Sequence, residues 1–67
     1  MDLCLRFGIN VRKARKEAGY SQEALADLAE VARSYMSDVE RGVRNPTLKV
    51  VERIAATLGV EASRLLE

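Results

Sequence analysis

The sequence predicts an all-α fold, a compact five-helix bundle in one domain over residues 1–67. Three observations lead to this prediction. Ala, Leu, Glu, Lys and Arg, which favour helices, are abundant, and the chain has a single Pro. Apolar residues recur at the three- and four-residue spacing of a helix face. Between the resulting segments stand glycines, which can end helices, and Ser or Thr residues, which can cap them.

The first helix is predicted from about Leu3 to Ala18. Its apolar face consists of Leu3, Phe7, Val11, Ala14 and Ala18. Leu5 and Ile9 lie off this face and are expected to cover either a second helix or a partner subunit. Gly19 stands where a left-handed residue can close the helix.

Residues 21–44 predict two short helices joined by a tight turn. Ser21 can accept a hydrogen bond from a free amide of the first helical turn, and Gly42 can end the second helix. The inward residues are expected to be Leu25, Leu28, Ala29, Met36 and Val39. The second helix then exposes a polar face of Arg33, Ser34, Ser37, Asp38 and Arg41.

The remaining residues predict a connector and two further helical segments. The residue before Pro46 is pushed towards an extended backbone, so the fourth helix cannot simply continue the third. Thr47 can cap this fourth helix and Gly59 can end it. Its inward residues are expected to be Leu48, Val51, Ile54, Ala55 and Leu58. A last helical turn or two is predicted over residues 60–66, with Leu65 and Leu66 on its apolar side.

Composition argues against several classes of protein. The chain has no His and one Cys, so neither a disulfide framework nor a zinc site of the usual spacing is expected. Without a His to activate it, Cys4 is expected to be a small hydrophobic residue. No phosphate-binding glycine loop or nucleophile–base pair is present, and no enzyme activity, metal or cofactor is expected.

The remaining expectations concern location and charge. No apolar run is long enough to cross a membrane, and charged residues interrupt the start of the chain, which predicts a cytoplasmic protein. The net charge of +1 is uninformative as an average. Lys and Arg nevertheless cluster in the first helix and around residues 33–49, whereas Glu61 and Glu67 lie at the other end. Such clustering is usually a solvated surface and favours nucleic acid only in a suitable fold.

The central residues resemble the helix-turn-helix of the Cro/repressor, or Xre-like, family, and the match covers nearly the whole chain. The features that carry the resemblance are Ser21-Gln22, small Ala26, Val31 after the turn, inward Met36, Val39-Glu40-Arg41-Gly42 and Arg44-Asn45-Pro46-Thr47-Leu48. The resemblance implies a lambda-repressor-like DNA-binding domain. The run over residues 33–47 looks especially like the controller proteins of restriction-modification systems, although phage repressors and antitoxins share much of it.

Two positions depart from the family pattern. Glu30 stands where the turn usually has a glycine, and a left-handed backbone there should cost about 1–2 kcal/mol. Ala32 stands where the second helix usually has a capping side chain, the loss of which costs about 1 kcal/mol. One hypothesis is that the amides left free at this helix start bind a DNA phosphate.

By resemblance, the base-reading residues are Arg33, Ser34, Ser37 and Asp38. The fork of Arg33 suits guanine, but Arg33 could instead neutralise a phosphate. Ser34 and Ser37 can donate or accept and assign no base. Asp38 could accept from a cytosine amino group, but pairing with Arg41 is favoured because an acid near phosphates is costly.

The resemblance also implies contacts with the DNA backbone, from Gln22, Tyr35, Arg41, Arg44, Asn45 and, more weakly, Lys49. Gln22 is expected to brace the recognition helix as well, the alternative being an ordinary exposed Gln. Tyr35 either places its hydroxyl on a phosphate or shields the core. Arg15 and Glu40 match a structural ion pair of the family. If buried, the pair should cost about 3–5 kcal/mol to break.

The predicted function is that of a sequence-specific, double-stranded-DNA-binding transcriptional regulator. One domain makes few contacts, so a homodimer on a pseudo-palindromic operator is expected. Val60, Leu65 and Leu66 are the candidate dimer surface, unless they only complete the core. No residues remain for an effector domain, and no small-molecule effector or membrane partner is expected. The alternative is a protein-interaction module that uses the same fold.

Overall fold

A computed structural model describes residues 2–67, and the predicted all-α fold is confirmed. Its helices are α1 (Leu3–Ala18), α2 (Gln22–Leu28), α3 (Arg33–Arg41), α4 (Leu48–Leu58) and α5 (Ala62–Leu65). The bundle measures 27 × 22 × 20 Å along its principal axes. No helix within this described part is long and apolar enough to cross a membrane.

The predicted caps and stops are confirmed. Ser21 Oγ accepts from the Ala24 amide at 3.0 Å, and Thr47 Oγ1 accepts from the Val50 amide at 3.2 Å. Each bond satisfies an amide that lacks a partner within its own helix. The residues that follow α1, α3 and α4 are left-handed glycines, namely Gly19, Gly42 and Gly59. Local sequence therefore defines where these helices begin or end.

The core lies where α1, α2, α3 and α4 meet. Its largest fully buried side chains are Phe7, Val11, Leu25, Met36, Val39 and Ile54. Leu65 of α5 is 2% exposed and closes one side of this core. A core of this size leaves a chain of 67 residues with modest stability.

Four residues expected to face inward do not. Leu28 is 57% exposed, because it lies about 60° around α2 from the buried Leu25 and about 100° from the buried Ala29. Leu48 is 85% exposed and Leu3 is 55% exposed, since each is the first residue of its helix and lies beyond the edge of the core. Ala18 is exposed at the last turn of α1. The predicted inward positions of Leu28, Leu48, Leu3 and Ala18 are therefore wrong.

The last helix is shorter than predicted and is held by α1. It begins at Ala62 rather than near residue 60. The Asn10 side chain, on α1, donates from Nδ2 to the carbonyl oxygens of Leu65 at 2.9 Å and Glu67 at 3.0 Å. These bonds satisfy carbonyls beyond the reach of a four-residue helix and attach α5 to the body of the domain.

Gly8 allows α1 to approach α3 closely. A Cβ at this position would clash with the carbonyl oxygens of Val39 and Glu40, the second of them at 2.8 Å. Glycine inside a helix is otherwise unfavourable by about 1 kcal/mol relative to alanine. The close approach fixes the distance of α3 from the body of the domain.

Candidate nucleic-acid interface

The turn between α2 and α3 is a left-handed one at Glu30. Its φ is 62°, so Glu30 has the left-handed backbone for which a cost of about 1–2 kcal/mol is expected. The Val31 amide donates to the Ala26 carbonyl at 2.9 Å across the turn. Arg53 Nε of α4 lies 3.7 Å from Glu30 Oε1 on the outside. The turn directs α3 across α2 with Ala26, 1% exposed, at the contact.

Arg15 braces the inner face of α3. Its Nε donates to Glu40 Oε2 at 2.7 Å and its Nη2 donates to Glu40 Oε1 at 3.1 Å. Its Nη1 donates to the Tyr20 carbonyl at 2.9 Å. The two charged side chains are only 10% and 3% exposed. A two-pronged pair of this kind fixes direction as well as distance, so it joins the end of α1 to the last turn of α3.

Gln22 belongs to the same network. Its Nε2 donates to Glu40 Oε1 at 3.1 Å, and the residue is half-buried at the start of α2. It is therefore not an ordinary exposed glutamine. Glu40 thus accepts hydrogen bonds from α1 and α2, which attach the last turn of α3 to the body of the domain.

The opposite face of α3 is polar and open. Arg33 and Ser34 are exposed in its first turn, and Ser37 is half-buried one turn later. Ala32 provides no side-chain cap, so the first amides of α3 have no capping side chain. Three of the four candidate base-reading residues thus share the first half of one helix, and none of them belongs to its buried residues, Met36, Val39 and Glu40.

The fourth candidate, Asp38, is bound to two arginines. Arg41 Nη2 donates to Asp38 Oδ1 at 2.6 Å, and Arg44 Nη2 donates to Asp38 Oδ2 at 3.4 Å. The Arg44 guanidinium also lies over the Tyr35 ring, 4.6 Å from its centroid. The hydrogen bond from Arg41, helped by Arg44, lowers the pKa of Asp38 below its ordinary value of 3.8, against partial burial, which raises it.

The other candidate residues lie around this group. Asn45 is exposed in the connector, and its Oδ1 accepts a weak hydrogen bond from Cys4 Sγ at 3.7 Å. Lys49 is exposed in the first turn of α4. Tyr35 is half-buried and packs against the core, and the Arg44 guanidinium lies over its ring.

The three residues predicted to form a dimer surface occupy different environments. Val60 is 37% exposed and Leu66 is 38% exposed, so both are accessible. Leu65 is 2% exposed and packs in the core of the monomer. Its side chain is not available to a second chain, and the predicted surface is reduced to Val60 and Leu66.

Two features of the site were not anticipated from the sequence. The sequence favoured a pair between Asp38 and Arg41 but did not include Arg44, which is six residues away and reaches Asp38 only because of the path of the connector. Gly8 was also missed. A glycine inside an otherwise regular helical pattern was the available signal, because it often marks a close backbone approach.

The geometry defines a class of protein. The short helix α2 is joined to α3 by a tight turn. The inner face of α3 packs against the domain and its outer face is polar, as in helix-turn-helix domains. The chain belongs to the helix-turn-helix family HTH_3, the model of which matches residues 11–65. The predicted membership of the Xre-like family is confirmed.

The most similar proteins include regulators and controllers. The control protein C.BamHI of Bacillus amyloliquefaciens is 44% identical over 64 residues, which are 94% of this chain and 79% of that protein. The transcriptional regulator SinR of Bacillus subtilis is 41% identical over 61 residues, 90% of this chain but only 55% of SinR. This chain therefore spans about half the length of SinR.

Solved structures show the same fold. The restriction-modification controller protein C.AhdI from Aeromonas hydrophila superposes with a TM-score of 0.89 at 40% identity, covering 92% of this chain and 94% of that one. SinR in complex with DNA superposes with a TM-score of 0.86 at 40% identity, covering 91% of this chain and 98% of that one. The predicted resemblance to controller proteins is confirmed by these relatives.

Proposed function

We propose that this chain is a sequence-specific transcriptional regulator that inserts α3 into the major groove of double-stranded DNA. One observation carries the proposal. The buried pair of Arg15 and Glu40 attaches α3 to α1, while the first turn of α3 exposes Arg33 and Ser34 to solvent. The major groove of B-DNA accepts a helix, and base edges there differ in their donors and acceptors. The solved complex of SinR with DNA supports the same assignment.

Within this proposal, the first half of α3 reads bases. Arg33 has a planar fork of donors that matches O6 and N7 of guanine. Ser34 and Ser37 donate to or accept from the neighbouring base edges. Asp38 lies at the edge of this face, where its carboxylate is already bound to Arg41 and Arg44.

The backbone contacts come from both sides of α3. Gln22 and the uncapped amides at the start of α3 would face one phosphate, since helix starts favour anions. Tyr35, Arg41, Arg44, Asn45 and Lys49 would contact phosphates on the other side. Tyr35 takes part mainly by supporting the guanidinium of Arg44.

We further propose that the regulator acts as a homodimer on a pseudo-palindromic operator. Two recognition helices on one face of DNA would enter major grooves about 34 Å apart. Val60 and Leu66 are exposed apolar residues near the end of the chain and are the proposed contact. The control proteins C.BamHI and C.AhdI support a role in restriction-modification control.

A second candidate function is docking of a protein partner on the same fold. A groove of about 160 Å³, lined mainly by apolar side chains, lies between the start of α1, the connector and α4. Its lining includes Leu3, Phe7, Pro46, Leu48 and Leu66. Binding there would depend little on salt, whereas binding to phosphates weakens steeply as ionic strength rises.

Selection of bound duplexes from a random pool tests the proposal. We expect two inverted half-sites with a fixed spacing, and affinity that falls steeply with added salt. Arg33→Ala should then cost about 1–3 kcal/mol and relax the preference at one position of each half-site. Lys13→Ala is the matched control, because it removes a positive charge beside α5 instead of α3. An unchanged preference in Arg33→Ala would refute base reading by Arg33, and a preference that also stays unchanged when Ser34→Ala is added would refute the proposed role of α3.

Sedimentation of the free protein tests the homodimer. A dimer at micromolar concentration that dissociates in Leu66→Glu would support the proposed contact. A chain that stays monomeric at high concentration, with selected sites that contain a single half-site, would overturn it.

A further inference from the structure

Asp38 is a negative charge on the surface proposed to meet the phosphates of DNA. Among the residues around it, Ser34, Arg41 and Arg44 are exposed and either positive or neutral. A carboxylate there should repel the backbone of any duplex. The proposed reading of bases by Arg33, Ser34 and Ser37 does not depend on it, and each of its oxygens already accepts a hydrogen bond from an arginine.

The geometry shows what those oxygens do. Each one accepts from a different arginine, Oδ1 from Arg41 at 2.6 Å and Oδ2 from Arg44 at 3.4 Å. The Asp38 side chain is 28% exposed, whereas Arg41 is 64% and Arg44 is 46% exposed. The carboxylate is therefore less exposed than either of the arginines that bind it.

The two arginines keep most of their donors free. A guanidinium has five N–H groups, and Asp38 receives a hydrogen bond from one nitrogen of each arginine. The Tyr35 ring supports Arg44 from a further side. Asp38 and Tyr35 therefore favour one arrangement of the two guanidinium groups relative to α3, while most of their N–H groups are not used by Asp38.

We propose that Asp38 is a positioning residue that holds Arg41 and Arg44 in one arrangement and thereby sets the discrimination between operator and other DNA. The inference rests on the proposed function. It extends that function by assigning to Asp38 a role that is not base reading. Its partner is DNA, and its effect passes through the two arginines.

The reasoning compares two kinds of complex. Non-specific binding depends on phosphates alone, and long, unrestrained arginines can follow phosphates wherever they lie. Arginines paired with Asp38 must give up that pairing in order to follow them, and the carboxylate adds repulsion. In the operator complex, α3 lies at a defined depth and the held arginines already face the phosphates, so little order has to be gained. Asp38 should therefore weaken non-specific binding more than specific binding.

A simple charge effect predicts a different result. If Asp38 only repels DNA, its neutralisation strengthens binding to every duplex by the same factor. The ratio of the two affinities then stays constant. The ratio, rather than either affinity, distinguishes the two explanations.

The test is Asp38→Asn, with dissociation constants measured at several salt concentrations for the selected operator and for a scrambled duplex of equal length. We expect stronger binding to the scrambled duplex, unchanged or weaker binding to the operator, and a ratio lowered about tenfold. Glu17→Gln is the matched control, since it neutralises an exposed carboxylate beside α5 and should leave the ratio unchanged. Urea denaturation of both variants confirms that they remain folded.

A second comparison tests the route through the arginines. In a chain that carries Arg41→Ala and Arg44→Ala, adding Asp38→Asn should no longer change the ratio. A ratio that Asp38→Asn leaves unchanged in the natural background, or still lowers when both arginines are absent, would overturn the inference alone. If the unsubstituted protein prefers no duplex at all, the proposed function is overturned as well. Failure of the inference and failure of the proposed function can therefore be distinguished.

Discussion

α3 carries two carboxylates, Glu40 and Asp38, that bind arginine in opposite environments. The Glu40 side chain is 3% exposed and receives Arg15 from α1 and Gln22 from α2. The Asp38 side chain is 28% exposed, and both of its arginine partners lie within or just after α3. The two residues are separated by a single position, yet one faces the body of the domain and the other faces solvent.

The two ion pairs differ in their contribution to stability, because water can replace the partner of an exposed carboxylate but not that of a buried one. A buried carboxylate that loses its arginine stays unpaired, so the pair at Glu40 has a large effect on folding. Water and salt readily replace the partners of an exposed carboxylate, and such a pair contributes little to stability. The inner pair therefore holds α3 in the domain, while the outer group is free to serve binding.

The largest effect is expected at the inner pair. Arg15→Ala should lower the free energy of unfolding by about 3–5 kcal/mol, because Glu40 is left buried without its partner. Urea denaturation monitored by circular dichroism measures the change. Arg12→Ala, on the exposed face of the same helix, should change stability by no more than about 0.5 kcal/mol. Equal stability of Arg15→Ala and the natural chain would contradict the structural role of the pair.

A somewhat smaller effect is expected at Gly8, where α1 meets the inner side of α3. Gly8→Ala should destabilise the domain by about 1–3 kcal/mol, since a methyl group would press on the carbonyls of Val39 and Glu40. Helix propensity alone predicts the opposite sign, a gain of about 1 kcal/mol. Thermal denaturation decides between them, and a higher melting temperature for Gly8→Ala would rule out the close approach.

A substitution at the N-terminus of α3 should stabilise the domain, unlike the substitutions at Arg15 and Gly8. Ala32→Ser adds the missing capping oxygen and should stabilise the domain by about 1 kcal/mol. If the free amides bind a DNA phosphate, the new hydroxyl competes for them and affinity for the operator should fall. Stability by denaturation and affinity by fluorescence anisotropy are both needed. Higher stability with unchanged affinity would show that these amides do not contribute to DNA binding.

The smallest effect is expected at Asp38 itself. Its pKa is held below 3.8 in the folded protein, so its pairing stabilises the fold above the ordinary pKa of Asp. That contribution is lost as pH falls through the lowered pKa of the folded state. A carbon-detected NMR titration of the Asp38 carboxyl should give a midpoint below 3.8. In Arg41→Ala the midpoint should move up towards that value, and a midpoint that does not move would exclude Arg41 as the main cause.

Much of the fold follows from local sequence. Ser21 and Thr47 mark helix starts because their hydroxyls cap amides a few residues away, and Gly19 marks a helix end because of its own backbone. The left-handed backbone at Glu30 was considered only through the resemblance, because the family usually has a glycine at that position. These features depend on a few neighbouring residues, which is why the sequence alone reveals them.

The features that the sequence did not reveal depend on contacts between distant segments. Periodicity assigned Leu28 and Leu48 to the inward faces of their helices, but the positions of the other helices leave both residues exposed. Leu65 was predicted at a dimer surface, with the core as the alternative, and it lies in the core because α5 packs beside α1. The link from Arg44 to Asp38 likewise depends on the course of the connector after Gly42.

The contact at Gly8 has a consequence for how DNA would have to adapt. No side chain lies between the backbones of α1 and α3 at this point, so no side chain can change its rotamer to let α3 move towards α1 or tilt against it. A duplex that differs from the ideal shape must then bend or twist to fit a rigid template. The energy of that deformation depends on base steps the protein never touches. Operators that share their contacted bases should therefore still differ in affinity through the stiffness of the DNA between them.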